Sequence, residues 1–302
     1  MTEIELPSLV GSNPLGFLAA LGVQVALEQA GESPTLQWSD TAVPHAVVRT
    51  RVGAAGIAER AHDLAQEWLD GPALSEDVDP KLKLESDAIA RYLGEARAAG
   101  TVGVLATCLV AENSLDNGGR AKPSDFYFTA GQMKFVTMAR EILSETTQGE
   151  VIEDMTSPWR YESKRSSLMW DAVDDRDYAL RATNPSSEKK LTNPGAEMLA
   201  LLGISRYPCF RSSSGTETQG CSGSWKRGTF TWPLWDGCAK PGAVKALLAH
   251  ASGHQADDGR RRNEAVSYAA WSVLRLMQSQ IRRSDQGGYG TFGPAKVIWQ
   301  RD

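Results

Sequence analysis

The run Asn13, Pro14, Leu15, Gly16, Phe17, Leu18, Ala19, Ala20, Leu21, Gly22, Val23 constrains the fold of this chain more than any other stretch, because a looser copy returns over Asn193 to Ile204. Each copy places Asn-Pro before an apolar helix that reaches a Gly and then a β-branched residue; the second is one residue longer. Asn caps a helix, Pro suits the first helical position, and Gly accepts the left-handed turn that closes one. Two readings are open: two core helices sharing start and stop chemistry, or an internal repeat. In either, the copies are framework helices that bury Phe17, Leu18 and Leu21, and Met198, Leu199 and Leu202.

Around these helices the pattern mixes elements. Residues 4–10, Leu36 to Ser39 and Val47 to Thr50 read as strands, and Asn13-Pro14 opens a helix to about Gln29. Ile57, Ala61, Leu64, Ala65 and Trp68 recur at helical spacing from Ala54 to Leu69, before Gly71-Pro72. Leu84 to Ala99 reads as a helix, whereas periodicity does not decide Val102 to Ala111, and Asn117, Gly118, Gly119 mark a loop. Phe126 to Phe128 is expected as a brief strand, with Thr129 capping a helix from Gly131 to Glu145. Ser167 to Trp170 and Tyr178 to Ala182 alternate like a hairpin, and Ser205 to Phe210 reads as a strand. Ser212 to Ser224, rich in Ser, Thr and Gly, reads as a mobile polar loop. Thr229 to Leu234 is strand-like, Gly242 to Ala251 and Ala265 to Gln278 are expected as helices, and Lys296 to Trp299 as a last strand. Without a regular βαβ rhythm the class is α+β: helices and short antiparallel strands in one large or two intimate domains. The halves divide as residues 1–150 and 151–302, or run on as one continuous domain.

A chain of 302 residues buries roughly three quarters of its unfolded surface and needs no disulfide or metal for a core. Cys108, Cys209, Cys221 and Cys238 form no CxxC pair and read as reduced thiols of an intracellular protein. Neither a leader nor a bilayer-length apolar run is evident, so a cytoplasmic protein with no membrane partner is expected. The net charge of −5 argues against a surface that wraps nucleic acid on all sides, yet leaves room for a local basic face.

Few patterns carry chemistry. His250 and His254 stand four apart but lack the zincin glutamate, Gly220 to Gly223 does not match GxSxG, and no phosphate loop is present. Asp171, Asp174, Asp175 and Asp177 are the acids a magnesium-dependent nuclease would use, though all fall in one continuous turn. The basic segments offer more. Arg160, Lys164 and Arg165 lie among Trp159, Tyr161 and Trp170, which combines charge for phosphates with flat faces for bases. Arg275, Arg282, Arg283 and Lys296 flank a glycine-rich turn.

Three stretches in order carry a resemblance: Asn13 to Val23; Phe126 to Gln132 continuing to Arg140 and Glu141; and Tyr178 to Arg181 followed by Asn193 to Ile204. The terminal Ile281 to Ser284 and Thr291 to Ala295 fit the same pattern. Together they resemble subunits of type I-G (formerly I-U) CRISPR systems, notably the family found beside or fused to the helicase-nuclease, and more distantly the large subunit. The resemblance implies a component of an antiviral RNA-guided complex, without an active site, metal or cofactor of its own. Its implied partners are the other effector subunits, the helicase-nuclease, and guide RNA or target DNA. The chain is shorter than the large subunit, which favours an accessory or adaptor role over reading the duplex beside the target. Asn13 and Gln132 match polar positions of the pattern and are carried over as nucleic-acid contacts, although a helix cap accounts for Asn13 equally well.

Overall fold

The computed structural model describes residues 1–116, 118–128, 134–172, 191–212, 215–223, 227–252, 268–283 and 290–301. Its centre is the pair of Asn-Pro helices, α1 (Pro14–Gln29) and α7 (Pro194–Gly203). Both are apolar all round, and such helices are stable only when surrounded. Every residue of α7, and α1 from Pro14 to Leu27, is buried.

The two copies pack against each other through their shared glycine. A Cβ on Gly22 would stand 1.8 Å from the Leu199 carbonyl oxygen, and a Cβ on Gly203 would stand 2.0 Å from that of Leu18. Aligned from the glycine backwards, Leu18 corresponds to Leu199, so the contact is reciprocal in the manner of a two-fold. These glycines therefore do not serve as left-handed stops. α1 continues past Gly22, Gly203 holds ordinary helical angles at φ −66°, and the left-handed glycine that follows α1 is Gly31 at φ +79°. Close backbone approach, not turn geometry, requires the residue without a side chain.

A three-stranded antiparallel sheet, ordered β1 (Thr2–Val10), β3 (His45–Thr50), β2 (Thr35–Trp38), lies on one side. Its register places Ile4 and Leu36 opposite Val48. Helices α2 (Ala54–Leu69), α5 (Phe135–Glu145) and α6 (Gln148–Thr156) surround the central pair. Beyond them α3 (Ser86–Ala98) leads to α4 (Val104–Leu109), which changes without a break into β4 (Val110–Leu115), paired with β5 (Ala121–Pro123). The apolar run from Val102 thus belongs to both element types, which is why no single period describes it.

The C-terminal half builds a five-stranded antiparallel sheet in the order β11 (Gly290–Phe292), β10 (Val273–Arg283), β9 (Gly228–Trp235), β8 (Cys221–Ser222), with β12 (Lys296–Gln300) also on β10. Of the expected helix over Ala265 to Gln278, residues 265–267 lie outside the described residues, 268–270 are helical, and β10 replaces the part from Val273 onward. Pairing with β9 from Val273 to Ile281 overrides the local helical spacing. α8 (Pro241–Ser252) packs on β9.

The expected mobile loop at Ser212 to Ser224 contains a hairpin, β6 (Cys209–Ser212) with β7 (Gly215–Thr218), as well as β8. Its hydroxyls anchor it: Thr216 donates to the Lys122 carbonyl at 2.6 Å and Thr218 accepts from the Asp125 N–H at 2.8 Å. Phe126 to Phe128 forms no strand, and neither does Ser167 to Trp170. The buried Glu197 carboxylate accepts from the Ser167 hydroxyl and from the Leu168 N–H, the latter a donor a strand would have used in a ladder. Tyr178 to Ala182, the hairpin's other arm, lies outside the described residues.

An aromatic core joins the two halves. Phe17 stacks on Trp38 at 5.5 Å and lies 5.7 Å from Trp232, whose indole N–H donates to the Gly11 carbonyl. Leu36 and Ala239 exchange both backbone hydrogen bonds, tying β2 to the loop after β9. The fold is α+β. No helix among the described residues is long and apolar enough to cross a membrane.

Candidate nucleic-acid interface

Both Asn-Pro helices begin under one strap, residues 158–171. Asn13 Oδ1 accepts from the Leu15 N–H at 2.9 Å, the cap the sequence implies, and its Nδ2 donates to Asp171 at 2.9 Å. The Tyr161 hydroxyl donates to the other Asp171 oxygen. Asn193 does not cap its own helix; its Oδ1 accepts the N–H groups of Arg160 and Tyr161, each at 3.2 Å. Asp154, reaching over from α6, does the capping by accepting from Gly195 and Ala196. Asn13 is thus committed to a cap and a carboxylate. Gln132 lies outside the described residues.

Asp154 carries an electrostatic consequence. Burial pushes its carboxyl up to about 6, against the pull of the two N–H donors and with the charges of Glu153 and Glu150 adding to the rise. Glu150 behaves oppositely. Partial burial raises it, but the Thr147 N–H and hydroxyl and the Arg165 guanidinium outweigh that and hold it below the usual range. A capping box at the start of α6 supplies the Thr147 donors.

Two of the strap's three cations are engaged. Arg160 pairs with Glu153 at 3.2 Å, and Arg165 with Glu150 at 2.8 Å and Glu145 at 3.9 Å. Lys164 is exposed and forms no ion pair among the described residues. The aromatic faces expected beside them are taken up by the fold: Trp170 is buried and donates to the Phe126 carbonyl, and Trp159 packs on the core and donates to the Asp154 carbonyl.

Strand alternation separates the second basic group. On β10, Met277, Ser279 and Ile281 face Trp232, Phe230 and Gly228 in the core, so Gln278, Gln280 and Arg282 face outward. Arg283 therefore turns inward. Its guanidinium donates to the Asp125 carbonyl at 2.8 Å and sits 5.6 Å from the Phe128 ring centre. Burial lowers the guanidinium and raises the Asp125 carboxyl, each opposed by the charge of the other. Arg275 donates to the carbonyls of Thr41 and Ala42.

Arg282 and Lys296 remain on one surface. Gln278 pairs Lys296 and Thr231, Gln280 pairs Thr229, Thr229 pairs Ser222, and Arg282 pairs Thr291, so all of these share the outer face. Of these, Ser222, Gln280 and Lys296 are exposed, Thr229, Gln278 and Arg282 are half-buried, and Thr231 and Thr291 are buried; the same face continues into the buried Pro233 and Leu276. Four residues of strand separate the two cations along β10, roughly 14 Å at the rise of an antiparallel strand.

Asp171, the first acid of the expected nuclease turn, is buried and committed to Asn13 and Tyr161; Asp174, Asp175 and Asp177 lie outside the described residues. Among the described residues no three His, Cys, Asp or Glu side chains are placed to hold a metal ion. The His250 ring lies 4.3 Å from that of Trp271, tilted by 58°, and His254 is outside the described residues. Sequence reading passed over Glu197 and Asp154. A single carboxylate within the apolar run of α7 was the signal for Glu197; Asp154 gave none, because it acts on a helix distant in sequence.

No family model matches the chain, and no curated protein matches it.

Proposed function

We propose that this chain is a non-catalytic subunit of a type I CRISPR effector complex, meeting nucleic-acid backbone on the outer face of the five-stranded sheet. The resemblance carried jointly by Asn13 to Val23, Phe126 to Gln132 with Arg140 and Glu141, and Tyr178 to Arg181 with Asn193 to Ile204 supports the family reading. The face shared by Arg282 and Lys296 supports the contact: two cations beside the exposed hydroxyl of Ser222 and amide of Gln280 suit phosphates and sugars, without base-specific chemistry. In the strap, Arg160 and Arg165 face three carboxylates, Glu153, Glu150 and Glu145, and this excess of negative charge weakens phosphate contact there. That pairing favours the second reading, a protein adaptor between effector and helicase-nuclease, for the strap's side of the molecule.

Anisotropy titrations with single-stranded DNA and RNA across a salt series test the contact. Each phosphate contact adds about −0.7 to the log-log slope, so Arg282→Ala with Lys296→Ala flattens it by about 1.4. Arg160→Ala leaves it unchanged. Salt-insensitive binding, or none at low salt, overturns the contact. Co-purification with other complex subunits after nuclease treatment, in the absence of such binding, establishes the adaptor instead.

A further inference from the structure

A separate cleft of about 790 Å³ lies between the C-terminal end of α1, the α3–α4 connection, the Ile204–Arg206 turn and α8. A volume of this order accommodates a small organic ligand of nucleotide size. Val25, Leu93, Val104 and Pro208 supply apolar walls, and Arg97, Arg206 and Lys245 bring three cations to its lining.

The charges do not cancel. Arg206 and Lys245 share one carboxylate, Glu28, the lysine at 3.7 Å. Arg97 is exposed and has no ion pair among the described residues, and Glu112 is the only acid on the lining itself. Three cations against Glu28 and Glu112 leave one positive charge in excess, in a protein whose net charge is −5. Arg206 is 6 % exposed, and its Nε has no hydrogen-bond partner. A buried guanidinium nitrogen left so is costly and is ordinarily satisfied.

The plainer explanation, that these cations offset helix C-terminal carbonyls, is met by the chain itself. Ala30, Gly31 and Glu32 donate to the carbonyls of Ala26, Glu28 and Leu27, and Ser205 donates to that of Leu202.

We infer that this cleft binds a phosphate monoester of nucleotide size, its phosphate held by Arg206 and Lys245 with Arg97 at the mouth and its body against the apolar wall. Guanidinium and ammonium groups together make the donor set a phosphate dianion uses. The chemistry arises from a free nucleotide or from the phosphorylated end of a nucleic acid. The inference does not depend on the sheet face, since no residue is shared.

Calorimetry on the full chain with AMP, adenosine, and a short oligonucleotide bearing a 5′-phosphate or a 5′-hydroxyl tests it. AMP is expected to bind about tenfold or more tightly than adenosine, as loss of a charged hydrogen-bonding group requires. Lys245→Ala and Arg97→Ala, at exposed positions where folding is not at stake, each weaken AMP several-fold, whereas Arg282→Ala does not. Preference for the 5′-phosphorylated oligonucleotide over both AMP and the 5′-hydroxyl form assigns the cleft to a strand end; preference for AMP assigns it to a free nucleotide. Equal binding of AMP and adenosine, AMP binding indifferent to the two charge variants, or no binding of either phosphorylated probe overturns the inference.

Discussion

Two glycines set how near the central helices approach. Gly22 and Gly203 face each other's partner leucine carbonyls at distances no Cβ occupies, and the obstacle is backbone, which cannot rotate aside. Gly22→Ala is expected to destabilise by about 1–3 kcal/mol, the usual range for overpacking, despite the better helix propensity of alanine. Gly203→Ala should do the same, and the double variant should cost less than the sum, because the first substitution has already spread the helices. Gly94 on α3 is the control: it is exposed, with open space where a Cβ would stand, and its change to alanine should stabilise by about 0.5–1 kcal/mol. Urea denaturation of the four variants decides it, and additive or negligible effects at Gly22 and Gly203 would show that the helices do not meet there. The glycines were legible in the sequence as a repeated feature, but their role was not, since a spacing cannot distinguish a turn from a close approach.

At the level of elements, α7 depends on a cap lent by α6. Asp154 has its folded-state carboxyl raised from 3.8 to about 6, so between those values the folded protein binds the proton more readily than the unfolded chain. Stability supplied by this group is therefore greatest at low pH and falls as pH rises from about 4 to 6. Glu150 works in the opposite direction: lowered when folded, its contribution is present above its ordinary value of 4.5 and is lost as pH falls below it. Asp154→Asn keeps an oxygen for the Gly195 N–H and removes the charge, so the decline in stability from pH 4 to 6 should flatten. Thermal melts over that range measure it, and an unchanged slope would assign the dependence to another group. The strands teach a related point about legibility. Helical spacing around Val273 hid β10, and with it the alternation that sends Arg282 outward and Arg283 inward. An expected helix that ends at Gln278 leaves Arg282 and Arg283 as equivalent neighbours flanking a glycine-rich turn, whereas the strand runs on through both and separates them.

On the scale of the whole molecule, the two Asn-Pro helices are what joins its halves. α1 and α7 come from opposite halves of the sequence, yet Asp171 with Tyr161 links their N-termini and Arg206, just past α7, pairs with Glu28 in the last turn of α1. Reciprocal packing of equivalent residues supports the repeat reading over coincidence of caps. It also makes each helix the other's apolar environment. A chain cut after Ser157, the residue that closes α6, places α1 and its sheet on one fragment and α7 with the five-stranded sheet on the other. Phe17 would lose Trp232, and Leu36 would lose both hydrogen bonds to Ala239. Neither fragment alone should show cooperative melting or native near-ultraviolet dichroism, because a helix apolar on every side cannot stay folded with one side in water. Expressed together, the fragments should associate and recover both signals. A fragment of residues 1–157 that melts cooperatively by itself would mean that the N-terminal half is an independent domain, and that the paired helices are an interface between two folded units and not the centre of one.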